Sequence, residues 1–139
     1  ECGALFTHHE ALVVVVWEPG LAYSIVEPVP MIPAVPLDIR AALDTEKALY
    51  EEAQQLAHQG AGLAEKAGLV AEALVVADDI TIAETIVRVA EERDARAIAL
   101  GTDGLGVTDL LLGSTTKAVI QHSTRPVVVV REPKRKSRT

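Results

Sequence analysis

The sequence predicts an α/β domain with a parallel, Rossmann-like sheet, and three observations support this. Aliphatic runs alternate with helical stretches along the chain, which is the pattern of βαβ units with right-handed crossovers. The runs at Ala11–Trp17 and Val127–Val130 are almost continuously aliphatic, as expected of strands that are covered on both faces. Hydrophobic residues make up 49% of the chain but aromatic residues only 3%, so the core must consist mainly of Val, Ile, Leu and Ala.

The first strand is predicted at Ala11–Trp17 because β-branched residues are enriched there. Residues 1–9 before it have the pattern of the end of a helix. A long segment follows, from Glu18 to about Asp44, and contains prolines at positions 28, 30, 33 and 36. Because proline cannot donate a backbone hydrogen bond, this segment is predicted to be irregular.

The next helix is predicted at Asp44–Lys66, and Gly68 is expected to end it. Apolar and small residues recur there at steps of four and three, as on the buried face of an amphipathic helix. This predicted face consists of Leu49, Ala53, Leu56, Gly60, Leu63 and Ala67. The second strand is predicted at Leu69–Ala77.

A further helix start is indicated by Thr81, which precedes Glu84 by three residues, the spacing of a capping box. Asp78 and Asp79 are also expected to serve this helix start, and the alternative is that they belong to a loop that faces a nucleotide. The helix is predicted to stop near Asp94. The side chains expected to face the core are Ile82, Ile86 and Val89.

The last part of the chain predicts one more strand–helix–strand unit. Its strands are placed at Ala97–Leu100 and, after Pro126, at Val127–Val130, with a helix at about Leu112–His122 between them. A glycine-rich loop connects the first of these strands to the helix.

The length, charge and composition of the chain limit the functions that it can have. The 139 residues fit one domain at 1–131, followed by a basic tail at 132–139. A net charge of −7 argues against a general nucleic-acid partner. The single cysteine excludes a disulfide within the chain and a cysteine-rich metal site. No apolar run reaches the roughly 20 residues of a membrane span, and no signal peptide is visible, so we expect a cytoplasmic protein with no membrane partner.

The glycine-rich loop lies at the carboxyl end of a strand, where parallel sheets bind ligands. Glycine lets backbone amides approach an anion, and the following helix start adds partial positive charge. The residues that could serve a phosphate are Gly101, Thr102, Gly104, Gly106, Gly113, Ser114 and Thr115. The loop matches neither a Walker P-loop nor the dinucleotide fingerprint. On these residues alone, phosphate binding and a simple strand-to-helix connection both remain open.

The segments GTDG, LLLGS and RPVVVV follow one another in the order typical of universal stress proteins, and VVVVWEPG and AEKAGL resemble the middle region of that family. The chain therefore resembles a universal stress protein over nearly its whole length. The resemblance implies a regulatory protein of the stress response that binds ATP, and Mg²⁺ is a further candidate cofactor. Because no catalytic group is evident, any ATP hydrolysis is expected to be slow and incidental, and the protein is not expected to be an enzyme. It implies that Gly101, Gly104, Gly113 and Ser114 contact phosphate and ribose, and that Val16 lies near the adenine.

The resemblance also implies the strand order 3-2-1-4-5 and a homodimer through the last strand. The dimer residues would be Val127, Val128, Val129 and Val130. The chain differs from the family in two respects: the first strand with its Asp has no counterpart here, and only eight residues, Leu105–Leu112, separate Gly104 from Gly113, one fewer than usual. The alternative function is therefore a dimeric interaction module of the same fold that binds no nucleotide.

No catalytic or metal site is predicted. Adjacent His8, His9 and Glu10 on a turn rarely converge on one metal ion, and Ser114 has no evident base. Asp103, within the glycine loop, would either help to hold Mg²⁺ or oppose a phosphate.

Overall fold

The computed structural model describes residues 9–20, 38–101 and 113–130, in which strands and helices alternate. In chain order the elements are β1 (Glu10–Trp17), α1 (Ile39–Lys66), β2 (Val70–Ala77), α2 (Ile82–Glu92), β3 (Ile98–Gly101), α3 (Ser114–His122) and β4 (Val127–Val130). The elements fall into two compact units, an amino-terminal unit with β1, α1 and β2 and a carboxyl-terminal unit with the rest. The predictions for residues 1–8, 21–37, 102–112 and 131–139 lie outside the described part.

Each unit contains a two-stranded parallel sheet. β1 pairs with β2, so that Val16 lies opposite Val76, and β3 pairs with β4, so that Gly101 lies opposite Val130. In each unit a helix lies between the two paired strands along the chain, which is the βαβ arrangement. The predicted α/β class with parallel strands is therefore confirmed.

The start of α1 corrects the predicted helix boundary, because the helix begins at Ile39 and not at Asp44. Asp38 is the N-cap residue, and its side chain accepts hydrogen bonds from the amides of Arg40 and Ala41 at 3.1 and 3.2 Å. These bonds satisfy two of the amides that have no acceptor within the helix. Asp38, directly after the proline-rich segment, is thus an N-cap signal that the prediction did not use.

The end of α1 confirms the role of Gly68. This glycine has φ +92°, a left-handed conformation that costs glycine little. The Gly68 amide donates to the carbonyl of Glu65 at 2.9 Å, and the Leu69 amide donates to that of Ala64 at 3.1 Å. This pair of bonds is a Schellman motif, which ends the helix and leads the chain into β2.

The buried face of α1 agrees with the predicted one only in part: Ala53 is buried and Gly60 packs against β1, as expected. The helix packs through small side chains, and its buried residues are Ala42, Ala53, Ala57 and Ala61. Leu56 and Leu63 were expected to be buried but are 56% and 67% exposed. The reason is close packing: a Cβ placed on Gly60 would lie 2.7 Å from Cγ1 of Val13 in β1. Only a face of alanine and glycine allows the helix to approach the strand so closely.

The start of α2 confirms the predicted cap at Thr81. Its hydroxyl oxygen accepts from the Glu84 amide at 3.2 Å, and the hydroxyl donates to Glu84 Oε2 at 2.8 Å. The capping residue itself is Thr81, and neither Asp78 nor Asp79 occupies the N-cap position. The Asp78 amide instead donates to the carbonyl of Trp17 at 2.8 Å, next to the β1–β2 pairing.

The core of the carboxyl-terminal unit forms where α2 and α3 cover β3 and β4. Its buried residues are Ala83, Val87, Ala90, Ile98 and Val119. Of the side chains predicted to face the core, Val89 is buried, whereas Ile82 and Ile86 are only half-buried. Small and β-branched residues therefore fill the positions closest to the sheet, as they do in α1.

The side chain of Arg125 joins two connections of this unit. Its Nη1 donates to Asp94 Oδ1 at 3.0 Å and to the carbonyl of Ala95 at 2.6 Å. Asp94 has φ +50°, which is unusual for a residue other than glycine and belongs to the turn after α2. Arg125 thus fastens the turn before β3 to the entry of β4.

Candidate functional site

Gly101 is the last residue of β3 and lies, exposed, at the carboxyl end of this strand. That is the edge at which parallel sheets bind ligands. Three further residues of the predicted nucleotide site, Thr102, Gly104 and Gly106, lie outside the described part of the chain.

Gly113 is the N-cap residue of α3. Gly113 has φ −58° and ψ 157°, and no side chain caps the helix there. A Cβ placed on Gly113 would meet nothing within 4 Å. The first intrahelical bond runs from the Lys117 amide to the Gly113 carbonyl at 3.0 Å. The amides of Ser114, Thr115 and Thr116 precede it, so they have no acceptor within the helix.

Three hydroxyl side chains follow one another in the first turn of α3. Ser114 is exposed, Thr115 is half-buried and Thr116 is buried. The Ser114 and Thr115 hydroxyls and the uncapped amides together form a donor group at the positive end of the helix dipole. Lys117 is exposed one turn into the helix. Such an arrangement favours an anion with several acceptor oxygens.

Val16, the other predicted contact of a nucleotide, lies in the amino-terminal unit. It is half-buried, one residue before the end of β1. The structure therefore places Val16 at the carboxyl end of its strand, as expected.

Two contacts near Val16 were not foreseen from the sequence. The Gly20 amide donates to Glu46 Oε1 of α1 at 2.7 Å, and Gly20 has φ +82°. The rings of Trp17 and Tyr50 have centroids 5.2 Å apart and planes inclined at 59°. The available signal was the spacing of Glu46 and Tyr50, which are four residues apart and thus share one side of α1.

The histidines do not form a metal site in the described ranges. No group of three His, Cys, Asp or Glu side chains gathers there in a way that could hold a metal ion. His58 and His122 are exposed on their helices, and His8 lies outside the described residues. Within the same ranges, none of the helices combines the length and the apolar character that crossing a membrane requires.

The predicted dimer strand, β4, is half-buried along its whole length. Among the described strands, β3 is its one hydrogen-bonded neighbour. All four of its residues pair with β3, from Val127 opposite Ile98 to Val130 opposite Gly101.

Comparison with known proteins identifies relatives of this chain. A model of the universal stress protein family matches residues 13–131. Universal stress protein G of Salmonella typhimurium is 38% identical over 48 residues, which is 34% of this chain and 34% of that protein. The match thus spans about a third of the curated relative.

Two solved structures share the fold. The hypothetical protein MJ0577 has a TM-score of 0.66 and 23% identity, over 93% of this chain and 80% of that chain. Universal stress protein UspA from Lactobacillus plantarum has a TM-score of 0.57 and 18% identity, over 91% of this chain and 98% of that chain.

Proposed function

The chain belongs to the universal stress protein family, and we propose that it binds an adenine nucleotide, ATP, and acts as a cytoplasmic regulator of a stress response. The proposed role is binding and not catalysis. Ser114 is the exposed hydroxyl of the candidate site, and none of the described His, Asp or Glu side chains donates to or accepts from it. A serine without a base is a ligand for phosphate and a poor nucleophile.

One observation carries the proposal: the N-cap of α3 is Gly113, and no side chain caps the helix there. In α1 and α2 the corresponding amides are satisfied by Asp38 and Thr81. At α3 the capping residue has no side chain, and the space beside it is open among the described residues. A phosphate oxygen would supply the missing acceptor, and the hydroxyl of Ser114 would add a further donor.

The proposed site assigns different parts of the nucleotide to different residues. Gly113, Ser114 and Thr115 would hold phosphate oxygens, and Gly101 would lie beside them at the end of β3. Thr102, Gly104 and Gly106 are proposed to belong to the same phosphate loop. Val16 is proposed to lie near the adenine. Asp103 is the carboxylate that could bring Mg²⁺ to the phosphates, and it lies outside the described residues.

Loss of the Ser114 hydroxyl tests the phosphate site. We expect Ser114→Ala to weaken ATP binding by about 1.5–3 kcal/mol, which is the contribution of one hydrogen bond to a charged acceptor. Thr124→Ala, which removes an exposed hydroxyl beyond the other end of α3, should bind ATP like the wild type. The measurement is calorimetric titration of the full chain with ATP. Equal affinity in all three proteins would remove Ser114 from the site, and no binding by the wild type would favour the interaction module.

We further propose that the protein is a homodimer through Val127–Val130. An aliphatic strand at the edge of a sheet invites pairing with a second strand. Val128→Lys should therefore yield monomers, because it places a charge in the proposed contact. Val70→Lys makes the same exchange at a valine that is 66% exposed and should leave the dimer intact. Light scattering measures the mass, and a monomeric wild type would contradict the proposal.

The strand order 3-2-1-4-5 is proposed on the basis of the pairing. In this order the second and third strands are neighbours, and so are the fourth and fifth. The two parallel sheets, β1 with β2 and β3 with β4, reproduce these two pairs if β1 is the second strand of the order.

A further inference from the structure

The carboxyl end of β1 and the turn after it are held against α1 and β2 by two hydrogen bonds and one contact between aromatic rings. The Trp17 carbonyl accepts from the Asp78 amide at 2.8 Å. The Trp17 ring lies against the ring of Tyr50, and the Gly20 amide donates to Glu46 Oε1 at 2.7 Å. The last of these bonds joins residues 26 positions apart. It therefore connects the turn after β1 to α1 and is not a local feature of the turn.

The turn itself depends on this connection. Pro19–Gly20 has the sequence signature of a type II turn, in which the second central residue needs a positive φ. Gly20 supplies it with φ +82°. A Cβ on Gly20 would meet nothing within 4 Å among the described residues, so the positive φ, and not a lack of space, is what favours glycine at this position. The hydrogen bond to Glu46 joins the turn to α1.

We propose that Glu46 is a positioning residue for the base of the nucleotide. It fixes Glu18–Gly20, the turn that follows Val16 and Trp17 at the carboxyl edge of β1. Because this edge is where parallel sheets bind ligands, the position of the turn sets the wall of the base site. This inference rests on the proposed function and names the part of the ligand, the adenosine moiety, that the amino-terminal unit recognises.

The bond is suited to this role. The acceptor is a carboxylate and the donor is a backbone amide, so the bond is charge-assisted, and its length is typical of a strong bond of this kind. Without it, the turn would populate several conformations, of which a fraction binds the base. The apparent dissociation constant rises in inverse proportion to that fraction.

The test compares Glu46→Ala with the wild type, using adenosine, ATP and inorganic tripolyphosphate as separate ligands. For Glu46→Ala we expect adenosine and ATP to bind about tenfold more weakly, a factor that corresponds to about 1.4 kcal/mol. Tripolyphosphate, which has no base, should bind as it does to the wild type. Glu46→Gln keeps an acceptor oxygen and should restore most of the affinity. Glu52→Ala, at an exposed glutamate of the same helix, should change nothing.

Trp17 gives a second readout, because it is the single tryptophan of the chain. Its emission should shift to longer wavelength in Glu46→Ala, as the turn beside it becomes more open to water, and should stay unchanged in Glu52→Ala.

Two outcomes would overturn the inference while the proposed function stands. One is unchanged adenosine and ATP affinity in Glu46→Ala. The other is an equal loss for tripolyphosphate, which would indicate a general loss of structure. A wild-type chain that binds none of the three ligands would overturn the proposed function and the inference together.

Discussion

Replacement of Gly60 by alanine should lower the free energy of unfolding by about 1–2 kcal/mol. The new Cβ would lie 2.7 Å from Cγ1 of Val13, a distance that real Cβ atoms do not show. Val13 is β-branched and has few alternative rotamers, so the helix or the strand must move. Overpacking of this kind costs about 1–3 kcal/mol. The gain in helix propensity, about 0.5–1 kcal/mol, offsets only part of this cost.

Gly62 provides the matched control in the same helix. A Cβ on Gly62 would meet nothing within 4 Å, and the residue lies within α1. Gly62→Ala should therefore raise the free energy of unfolding by about 0.5–1 kcal/mol through helix propensity alone. Urea denaturation of both variants measures the difference. Stabilisation by Gly60→Ala to the same extent as by Gly62→Ala would show that α1 does not approach β1 as closely as the structure places it.

A double variant identifies the contact as the cause. In a Val13→Ala background the clashing methyl group is absent, so Gly60→Ala should no longer destabilise. The interaction energy between the two substitutions should exceed about 0.5 kcal/mol, the limit within which independent sites add.

Local signals were the part of the fold that the sequence predicted well. The end of α1 at Gly68 and the cap at Thr81 are each determined by residues within a few positions. The local sequence was therefore enough to predict both. The strands were recognisable because aliphatic runs of this kind have few alternatives. The start of α1 at Asp38 was not predicted, because the prolines before it indicated an irregular segment that was extended too far along the chain.

Contacts between distant segments were not predictable from the pattern. The stripe with Leu56 and Leu63 was read as the buried face because leucine is usually buried. The helix instead turns its alanines and Gly60 toward β1, a choice that depends on how closely the two elements approach. The bond between Gly20 and Glu46 is of the same kind. In the candidate site, the sequence located Gly113 at a helix start, but the absence of a side-chain cap needed coordinates.

Replacement of Val119 by alanine is the second substitution that should lower the free energy of unfolding strongly. Val119 is fully buried in the core of the carboxyl-terminal unit, together with Ile98 and Val87. The substitution removes two methyl groups, worth about 0.8 kcal/mol each when buried, and leaves a cavity that adds to the cost. We therefore expect the free energy of unfolding to fall by about 2–3 kcal/mol.

Ile120, the next residue of α3, is the control for Val119. It is 45% exposed, so Ile120→Ala removes more atoms from the chain but fewer from the core. Ile120→Ala should lower the free energy of unfolding by less than about 1 kcal/mol, because partly exposed methyl groups contribute in proportion to the area that they bury. Thermal and urea unfolding of the two variants give the comparison. A larger loss for Ile120→Ala than for Val119→Ala would mean that α3 presents its other side to β3 and β4. Since Ser114 lies on the same helix, that outcome would also place the Ser114 hydroxyl differently and would require a new assignment of the phosphate site.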